Sequence, residues 1–219
     1  MVETSTSSKL IAEFIGTFFL ALTICTAAVH GSAAGDYAPF AAPFAIAATL
    51  MVMIYAVGHI SGAHFNPAVT VAVWLRGACE KSDVVPYISV QALAGVLAAI
   101  VSQEILLAHE PSVTTIDMDA TNALAAEFLY TFALVYVILN VATSDATQGN
   151  GYYGAAISFV VLAGALTVGE ISGGSFNPAV SGALLVSGSI ELSDLWIHLV
   201  PQFLAGVLAV QAFNSSLQE

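Results

Sequence analysis

Six long apolar segments, separated by short polar or glycine-rich connections, dominate the pattern of hydrophobic and polar positions along the chain. A helix needs roughly 18 or more apolar residues to cross a bilayer. All six segments come close to this length, and the fifth is marginal. We predict membrane-spanning helices over residues 10–29, 40–57, 84–107, 123–141, 154–168 and 195–212.

Two shorter apolar stretches follow the second and fifth predicted spans. Each begins with Ser-Gly-Xaa-Xaa-Phe-Asn-Pro-Ala and is too short to cross a membrane. Glycine suits a non-helical loop, and proline near the first helical position is preorganised to start a helix. We predict two re-entrant loops that descend to mid-membrane and return as half-helices. Exposed backbone at that depth must be covered by protein or must line a watery cavity.

The two motifs are copies within an internal repeat. Asn66-Pro67-Ala68 and Asn177-Pro178-Ala179 lie in similar frames at an offset of 111 residues (177 − 66). The similarity continues into the spans. Other corresponding segments are Ala12–Leu20 with Ala126–Leu134 and Gln91–Ala98 with Gln202–Ala209.

Each half of the repeat contains three predicted spans. Because three is an odd number of crossings, the second half must enter the bilayer from the opposite face. We therefore expect one transmembrane channel domain over residues 1–219, built from inverted repeats over residues 9–110 and 121–213. The two half-helices then meet with their N-termini near the midplane.

Composition agrees with a membrane protein. The chain is 58% hydrophobic and 8% charged, with a mean hydropathy of +0.88, whereas about 25% charged residues is ordinary for soluble domains. The net charge of −12 reflects the presence of only three basic residues, Lys9, Arg76 and Lys81, and it argues against nucleic-acid binding. The sequence contains no nucleophile–base set, metal-ligand cluster or phosphate loop, so we expect no enzymatic activity, no metal and no cofactor.

The three basic residues also predict the orientation. All of them map to one side of the predicted spans, which the positive-inside rule assigns to the cytoplasm. Six crossings then place both termini in the cytoplasm. We expect a multi-pass protein of the lipid bilayer in the plasma (cell or inner) membrane, with Cys25 and Cys79 as free thiols.

Two half-helix N-termini that face each other bring unpaired N–H groups and the positive ends of two helix dipoles to one place. A cation is repelled there. Asn66 and Asn177 can cap these ends with their oxygens while they offer N–H donors to a passing molecule. A water molecule held by two donors must accept with its oxygen, which interrupts a proton wire. Such a site passes neutral molecules and resists protons and cations.

These motifs resemble those of the aquaporin, or major intrinsic protein, family over essentially the whole chain. The resemblance implies an all-α fold, a right-handed bundle of six transmembrane helices with two re-entrant half-helices. It also implies a pore within each protomer and a homotetramer. Asn66 and Asn177 correspond to the paired midpore asparagines of this family.

The resemblance further implies that Glu13 and Glu127 hold backbone amides of the two loops. A lone charge within an apolar span is costly, so these repeat-equivalent acids are functional or structural by default, with snorkelling to an interface as the alternative. His64 lines the cytoplasmic vestibule or is a packed, hydrogen-bonded histidine. We expect His59 to brace the first loop.

The selectivity filter departs from the usual family pattern. Val180 follows the second Asn-Pro-Ala, where the family usually has arginine. Counting from the motifs places the other filter positions at Ile46, Ala165 and Gly174. We infer a wider, more apolar, aquaglyceroporin-like constriction. Water, glycerol, urea, ammonia, hydrogen peroxide and dissolved gases are the candidate solutes.

Two other classes of function are alternatives. Inverted repeats and broken helices also occur in secondary transporters, whose flux saturates and follows ion gradients. A non-conducting membrane scaffold has only the unusual filter in its favour, and it would leave liposome permeability unchanged.

Overall fold

The computed structural model describes residues 4–31, 41–109 and 113–216, and every regular element within these ranges is helical. Residue 40, the predicted start of the second span, and residue 110, the predicted end of the first repeat, lie outside the described residues. The long helices are α1 (Thr6–Thr23), α2 (Ala41–Ser61), α4 (Lys81–Val101), α5 (Ala120–Ala142), α6 (Tyr153–Ser172) and α8 (Leu195–Ser216), and the short ones are α3 (Pro67–Leu75) and α7 (Pro178–Val186).

Within the described residues, six helices are long and apolar enough to cross a membrane. Two of them continue as π-helix beyond their α-helical part, α1 through Ile24–His30 and α4 through Ser102–Leu106. The fifth span, marginal in the sequence, is the 20-residue helix α6. It ends where Gly173 adopts a left-handed conformation with φ of 82°, which glycine tolerates without steric cost.

The half-helices start where the sequence predicts. Asn66 and Asn177 are the N-cap residues of α3 and α7, both in extended conformation, and a proline follows each at the first helical position. Asn66 Oδ1 accepts from the backbone N–H of Ala68 at 2.9 Å, and Asn177 Oδ1 accepts from that of Ala179 at 2.9 Å. Asparagine followed by proline thus supplies both the cap and the preset φ that initiate a helix.

Helix packing follows the same pattern in the two halves of the chain. In each half the first spanning helix packs against the second and third, α1 against α2 and α4, and α5 against α6 and α8. The half-helices cross over between the halves, with α7 against α4 and α3 against α8. Each half therefore completes its fold only in contact with the other.

Small residues allow the half-helices to approach these spans. A Cβ atom at Gly95 of α4 would collide with the backbone carbonyl of Ala179 in α7. At the equivalent position of α8, a Cβ at Gly206 would lie 3.4 Å from the carbonyl of Ala68 in α3. The contact between α4 and α7 is therefore the tighter of the two.

Candidate functional site: a cavity between the two loops

A cavity of about 860 Å³ lies between the two Asn-Pro-Ala loops. Side chains of α1, α2, α5 and α6 form most of its helical wall, and they are largely apolar; Leu50, Ile138 and Ile157 are examples. Polar groups come from the loops, including Asn66 and Asn177, and also from residues outside them such as Thr167 and Glu170. The cavity is therefore an apolar conduit with polar backbone and amide groups along the loops.

The two asparagines tie the loops to each other. Asn66 Nδ2 donates to the carbonyl of Phe176 at 2.9 Å, and Asn177 Nδ2 donates to the carbonyl of Phe65 at 2.8 Å. Each amide also caps its own half-helix through Oδ1. Because an amide NH₂ carries two donors, each asparagine retains one N–H that is free for a molecule in the cavity.

The carboxylate of Glu13 holds the first loop from behind. Its Oε1 accepts from Ser61 Oγ at 2.7 Å and from the backbone N–H of His64 at 2.9 Å. Its Oε2 accepts from the backbone N–H of Phe65 at 2.7 Å and from Gln91 Nε2 at 2.8 Å. Four donors therefore satisfy a carboxylate that is fully buried, as a buried charge requires.

Glu127 makes the equivalent contacts with the second loop. Its Oε1 accepts from Ser172 Oγ at 2.7 Å and from the backbone N–H of Ser175 at 3.0 Å. Its Oε2 accepts from the backbone N–H of Phe176 and from Gln202 Nε2, both at 2.8 Å. These four contacts match those of Glu13, and Ser175 Oγ adds a fifth donor to Glu127 at 3.2 Å.

The loops contain strained backbone. Ala63, Phe65 and Phe176 have positive φ angles of 52°, 49° and 47°, which non-glycine residues rarely adopt. Such conformations persist when the surroundings overdetermine them. Here a glutamate carboxylate binds the N–H of each phenylalanine, and an asparagine amide binds its carbonyl.

The histidines of the two halves occupy different places. His64 Nδ1 lies 3.2 Å from Thr70 Oγ1, and the His64 ring packs edge-on against Tyr87, with 5.3 Å between centroids. In the second half Ser175 stands at the position of His64, and the fully buried His198 stands at that of Tyr87. His198 Nδ1 lies 3.3 Å from Ser175 Oγ. His64 lines the cavity and is hydrogen-bonded as well.

The four filter positions line one cavity. Ile46, Ala165, Gly174 and Val180 all contribute to its wall. A Cβ built on Gly174 would lie 3.7 Å from the Cα of Ala165, so these two residues are neighbours. None of the four side chains carries a hydrogen-bonding atom or a charge.

The chain matches the model of a known protein family over almost its whole length. The family model described as "Major intrinsic protein" matches residues 1–213. The chain belongs to the major intrinsic protein family. Members of this family are channels and not enzymes, and this major intrinsic protein is a passive channel for water and small neutral solutes.

Individual relatives agree with this membership. The chain is 36% identical to "Aquaporin NIP1-1" of Zea mays over 210 residues, covering 94% of this chain and 73% of that protein. It is 32% identical to "Nodulin-26" of Glycine max over 210 residues, covering 94% and 76%. The X-ray structure of the aquaglyceroporin from Plasmodium falciparum shares the fold, with a TM-score of 0.81, 20% identity and 98% of both chains covered.

One prediction for this major intrinsic protein needs correction. The His59 side chain is exposed, and none of the hydrogen bonds among the described residues joins it to the first loop. Ser61 makes that contact instead, because its hydroxyl donates to Glu13 and accepts from the backbone N–H of Ala63 at 3.1 Å. His59 lies two residues before Ser61, about 200° around α2, so its side chain faces the opposite side of the helix.

Sequence reasoning missed several residues of the network. Gln91 and Gln202 are repeat-equivalent polar residues within apolar spans, the same signal that identified Glu13 and Glu127. That signal could have found both glutamines. It could not have found His198, because its equivalent is Tyr87. Among the described residues no group of three or more His, Cys, Asp and Glu could hold a metal ion.

Proposed function

We propose that this channel conducts water and small neutral solutes past Asn66 and Asn177 and excludes protons and cations there. The observation that carries the proposal is the reciprocal pair of hydrogen bonds between these amides and the opposite loops. It brings the N-termini of α3 and α7 to one place on the cavity wall. The positive ends of both helix dipoles then act on the same point of the file.

The free N–H of each asparagine supports proton exclusion. A water molecule that accepts from both amides directs its own hydrogens away from the centre of the file. Its neighbours then cannot pass a proton through it along a continuous hydrogen-bonded chain. The asparagines therefore serve conduction of water and exclusion of protons at once.

Ile46, Ala165, Gly174 and Val180 form the proposed selectivity filter. With an apolar side chain at position 180, the constriction lacks the bulk and the charge that arginine brings to the usual family filter. We infer that solutes larger than water, such as glycerol and urea, pass. Ammonia, hydrogen peroxide and dissolved gases are smaller than glycerol and urea, so the constriction does not obstruct them by size.

Three further residues have proposed roles in shaping the conduit. Glu13 and Glu127 keep the two loops in their strained conformations through the contacts described above. His64 lines the cytoplasmic vestibule with the imidazole edge that Thr70 leaves free. Removing either acid leaves several buried N–H groups without a partner, which is costly.

We place both termini in the cytoplasm and the protein in the plasma (cell or inner) membrane. Lys9, Arg76 and Lys81 lie on the same side of the helices, which supports this orientation. A homotetramer in the bilayer, with one pore per protomer, accounts for outward-facing apolar side chains such as Val85 and Leu129, which are 71% and 61% exposed. Lipid covers the faces that other protomers leave open.

Stopped-flow light scattering on proteoliposomes tests the proposed function. Fluxes of water, glycerol and urea under osmotic gradients are compared with those of protein-free liposomes of the same lipid. We expect water and solute fluxes above the lipid background, linear in solute concentration and unchanged by sodium or proton gradients. Saturation and ion dependence would indicate a secondary transporter, and permeability equal to that of bare lipid would indicate a scaffold.

A further inference from the structure

We propose that the constriction around Val180 presents hydrogen-bond acceptors only, and that it therefore selects neutral solutes with N–H or O–H donors over equally sized solutes that carry acceptors alone. The inference rests on the proposed function, since it concerns the solutes that the same pore conducts. It follows from the direction of the peptide groups in the second loop and from the side chains opposite them.

The N–H groups of the second loop all point away from the cavity. The N–H of Gly173 donates to the carbonyl of Gly169 at 2.8 Å, and that of Gly174 donates to Ser172 Oγ at 3.2 Å. The next two N–H groups of the loop, at positions 175 and 176, donate to the carboxylate of Glu127. The loop thus has no N–H group left for a solute between residues 173 and 176.

The carbonyls of the same peptide groups must point the opposite way. In a planar trans peptide the C=O of one residue is antiparallel to the N–H of the next, and the described residues contain no cis peptide bond. The carbonyls of Gly173, Gly174 and Ser175 are therefore directed toward the cavity, which all three residues line. No described backbone or side-chain group donates to these three oxygens.

The first loop repeats the arrangement. The N–H of Ala63 donates to Ser61 Oγ, and those of His64 and Phe65 donate to Glu13. The preceding carbonyls, of residues 62 to 64, face the same cavity. Acceptors therefore line the loop side of the conduit on both sides of the paired asparagines.

Side chains near the constriction add no donor. Ile46, Ala165 and Val180 are apolar, and Gly174 has no side chain. The Ser175 hydroxyl is held behind the loop, 2.7 Å from Ser181 Oγ and 3.2 Å from the carboxylate of Glu127. The Thr167 hydroxyl on the neighbouring wall lies 2.7 Å from the carbonyl of Ala163 and 2.6 Å from the Tyr130 hydroxyl, so both hydroxyl groups are engaged. An arginine at position 180 would have supplied several donors, and valine supplies none.

A solute loses hydrogen bonds to water when it enters a narrow passage. The loop carbonyls replace only those bonds in which the solute is the donor. A solute with N–H or O–H groups donates to these carbonyls. A solute with acceptors alone leaves its oxygen without a partner, and an unsatisfied buried polar group costs much more than an average hydrogen bond contributes. Sites with fixed hydrogen-bonding groups discriminate strongly on this basis.

The test uses three solutes with the same number of non-hydrogen atoms. Urea carries the most N–H donors, acetamide carries fewer, and dimethyl sulfoxide carries none. Stopped-flow fluxes into proteoliposomes are corrected with protein-free liposomes. We expect channel flux in the order urea, acetamide, dimethyl sulfoxide, with urea exceeding dimethyl sulfoxide by at least about tenfold. Permeability of the lipid itself rises with apolarity, so its order runs the other way.

A pair of variants locates the effect at residue 180. Val180→Gln brings N–H donors to the constriction without charge, and Val180→Met is its apolar counterpart of similar length. We expect the ratio of dimethyl sulfoxide flux to urea flux to rise several-fold in V180Q relative to V180M. An equal ratio in the two variants would contradict a donor deficit at this position.

Results with the parent protein distinguish failure of the donor selectivity from failure of the channel function. Equal channel fluxes of urea and dimethyl sulfoxide would overturn the donor selectivity and leave the channel function standing. Conduction of water with none of the three solutes would also overturn it. Absence of water flux above the lipid background would overturn the proposed function itself.

Discussion

Asn66 donates through Nδ2 to the carbonyl of Phe176, the residue that precedes the other asparagine. Asn177 returns the contact to the carbonyl of Phe65. Both phenylalanines have positive φ, and the N–H of each is bound by a glutamate. Each loop therefore takes its geometry from the span behind it and from the asparagine of the other loop.

Replacing Asn177 by Asp is expected to open a leak. The carboxylate removes the N–H that reaches the carbonyl of Phe65, and it places a negative charge at the two positive helix ends. Proton or cation flux should rise in Asn177→Asp, measured with a pH-sensitive dye trapped in proteoliposomes under a potassium gradient. Asn214→Asp, at an exposed position near the end of α8, adds the same charge away from the cavity and should stay tight. An N177D variant that folds, conducts water and is as ion-tight as the parent would place the barrier elsewhere.

Val180→Arg is expected to narrow the range of conducted solutes. Arginine occupies cross-section and adds a positive charge in the constriction, where a passing cation is repelled and a larger solute is obstructed. Glycerol or urea flux should fall far more than water flux in vesicles with matched protein content. Val180→Met adds length without charge and separates the two effects. An unchanged ratio of glycerol to water flux would show that residue 180 does not line the selective constriction, and equal loss of all fluxes would indicate misfolding or blockage.

Alanine substitutions at the repeat-equivalent residues Gly95 and Gly206 form a matched pair that tests how tightly the half-helices pack. Alanine in place of glycine favours a helix by roughly 0.5–1 kcal/mol. At Gly95 the added methyl group collides with the backbone of Ala179, and overpacking of this kind costs about 1–3 kcal/mol. Gly95→Ala should lower the thermal unfolding temperature of the detergent-purified protein and its water flux. Gly206→Ala, which meets only an ordinary contact at 3.4 Å, should leave both unchanged or raise the unfolding temperature. Equal effects of the two substitutions would contradict the closer packing of α4 on α7.

Thiol labelling of Cys79 tests both the orientation of the protein in the membrane and the raised pKa of this thiol. Partial burial and the nearby carboxylate of Asp83 raise the pKa of the Cys79 thiol to about 11. Because the thiolate is the reactive form, labelling by an impermeant maleimide should be slow at neutral pH and rise about tenfold per pH unit up to about pH 10. Right-side-out vesicles should label only after permeabilisation, and Cys79→Ser should remove the signal because Cys25 is buried. Labelling from outside would reverse the topology, and a pH-independent rate would contradict the raised pKa.

Sequence patterns predicted the fold nearly completely, because a bilayer allows few alternatives. Span length, proline after asparagine and the repeat offset were enough to predict the six spans and the starts of α3 and α7. The end of α6 was less well predicted: apolarity fades after residue 168, whereas the helix continues to Ser172. Its last turn carries the serine hydroxyl that Glu127 binds, so a polar residue there serves the loop and gives no hydropathy signal.

The buried network behind the loops was predictable only where the repeat preserves a residue type. Glu13 and Glu127 share one chemistry at equivalent positions and were identified as partners of the loops. The contribution of His198 depends on how α8 is rotated against the second loop, and a tyrosine at the equivalent position hides it. His59 shows the opposite case: a polar residue close to the loop in sequence points outward because of its place on the helical turn.

The crossed packing of α3 on α8 and of α7 on α4 limits how the protein is made. Ala68 lies against Gly206, so the first half-helix has no final partner until the ribosome has synthesised nearly the whole chain. During that time its polar loop sits in or near the bilayer with the hydrogen bond from Asn177 still missing. Neither half of the chain alone contains both helices of either crossed pair.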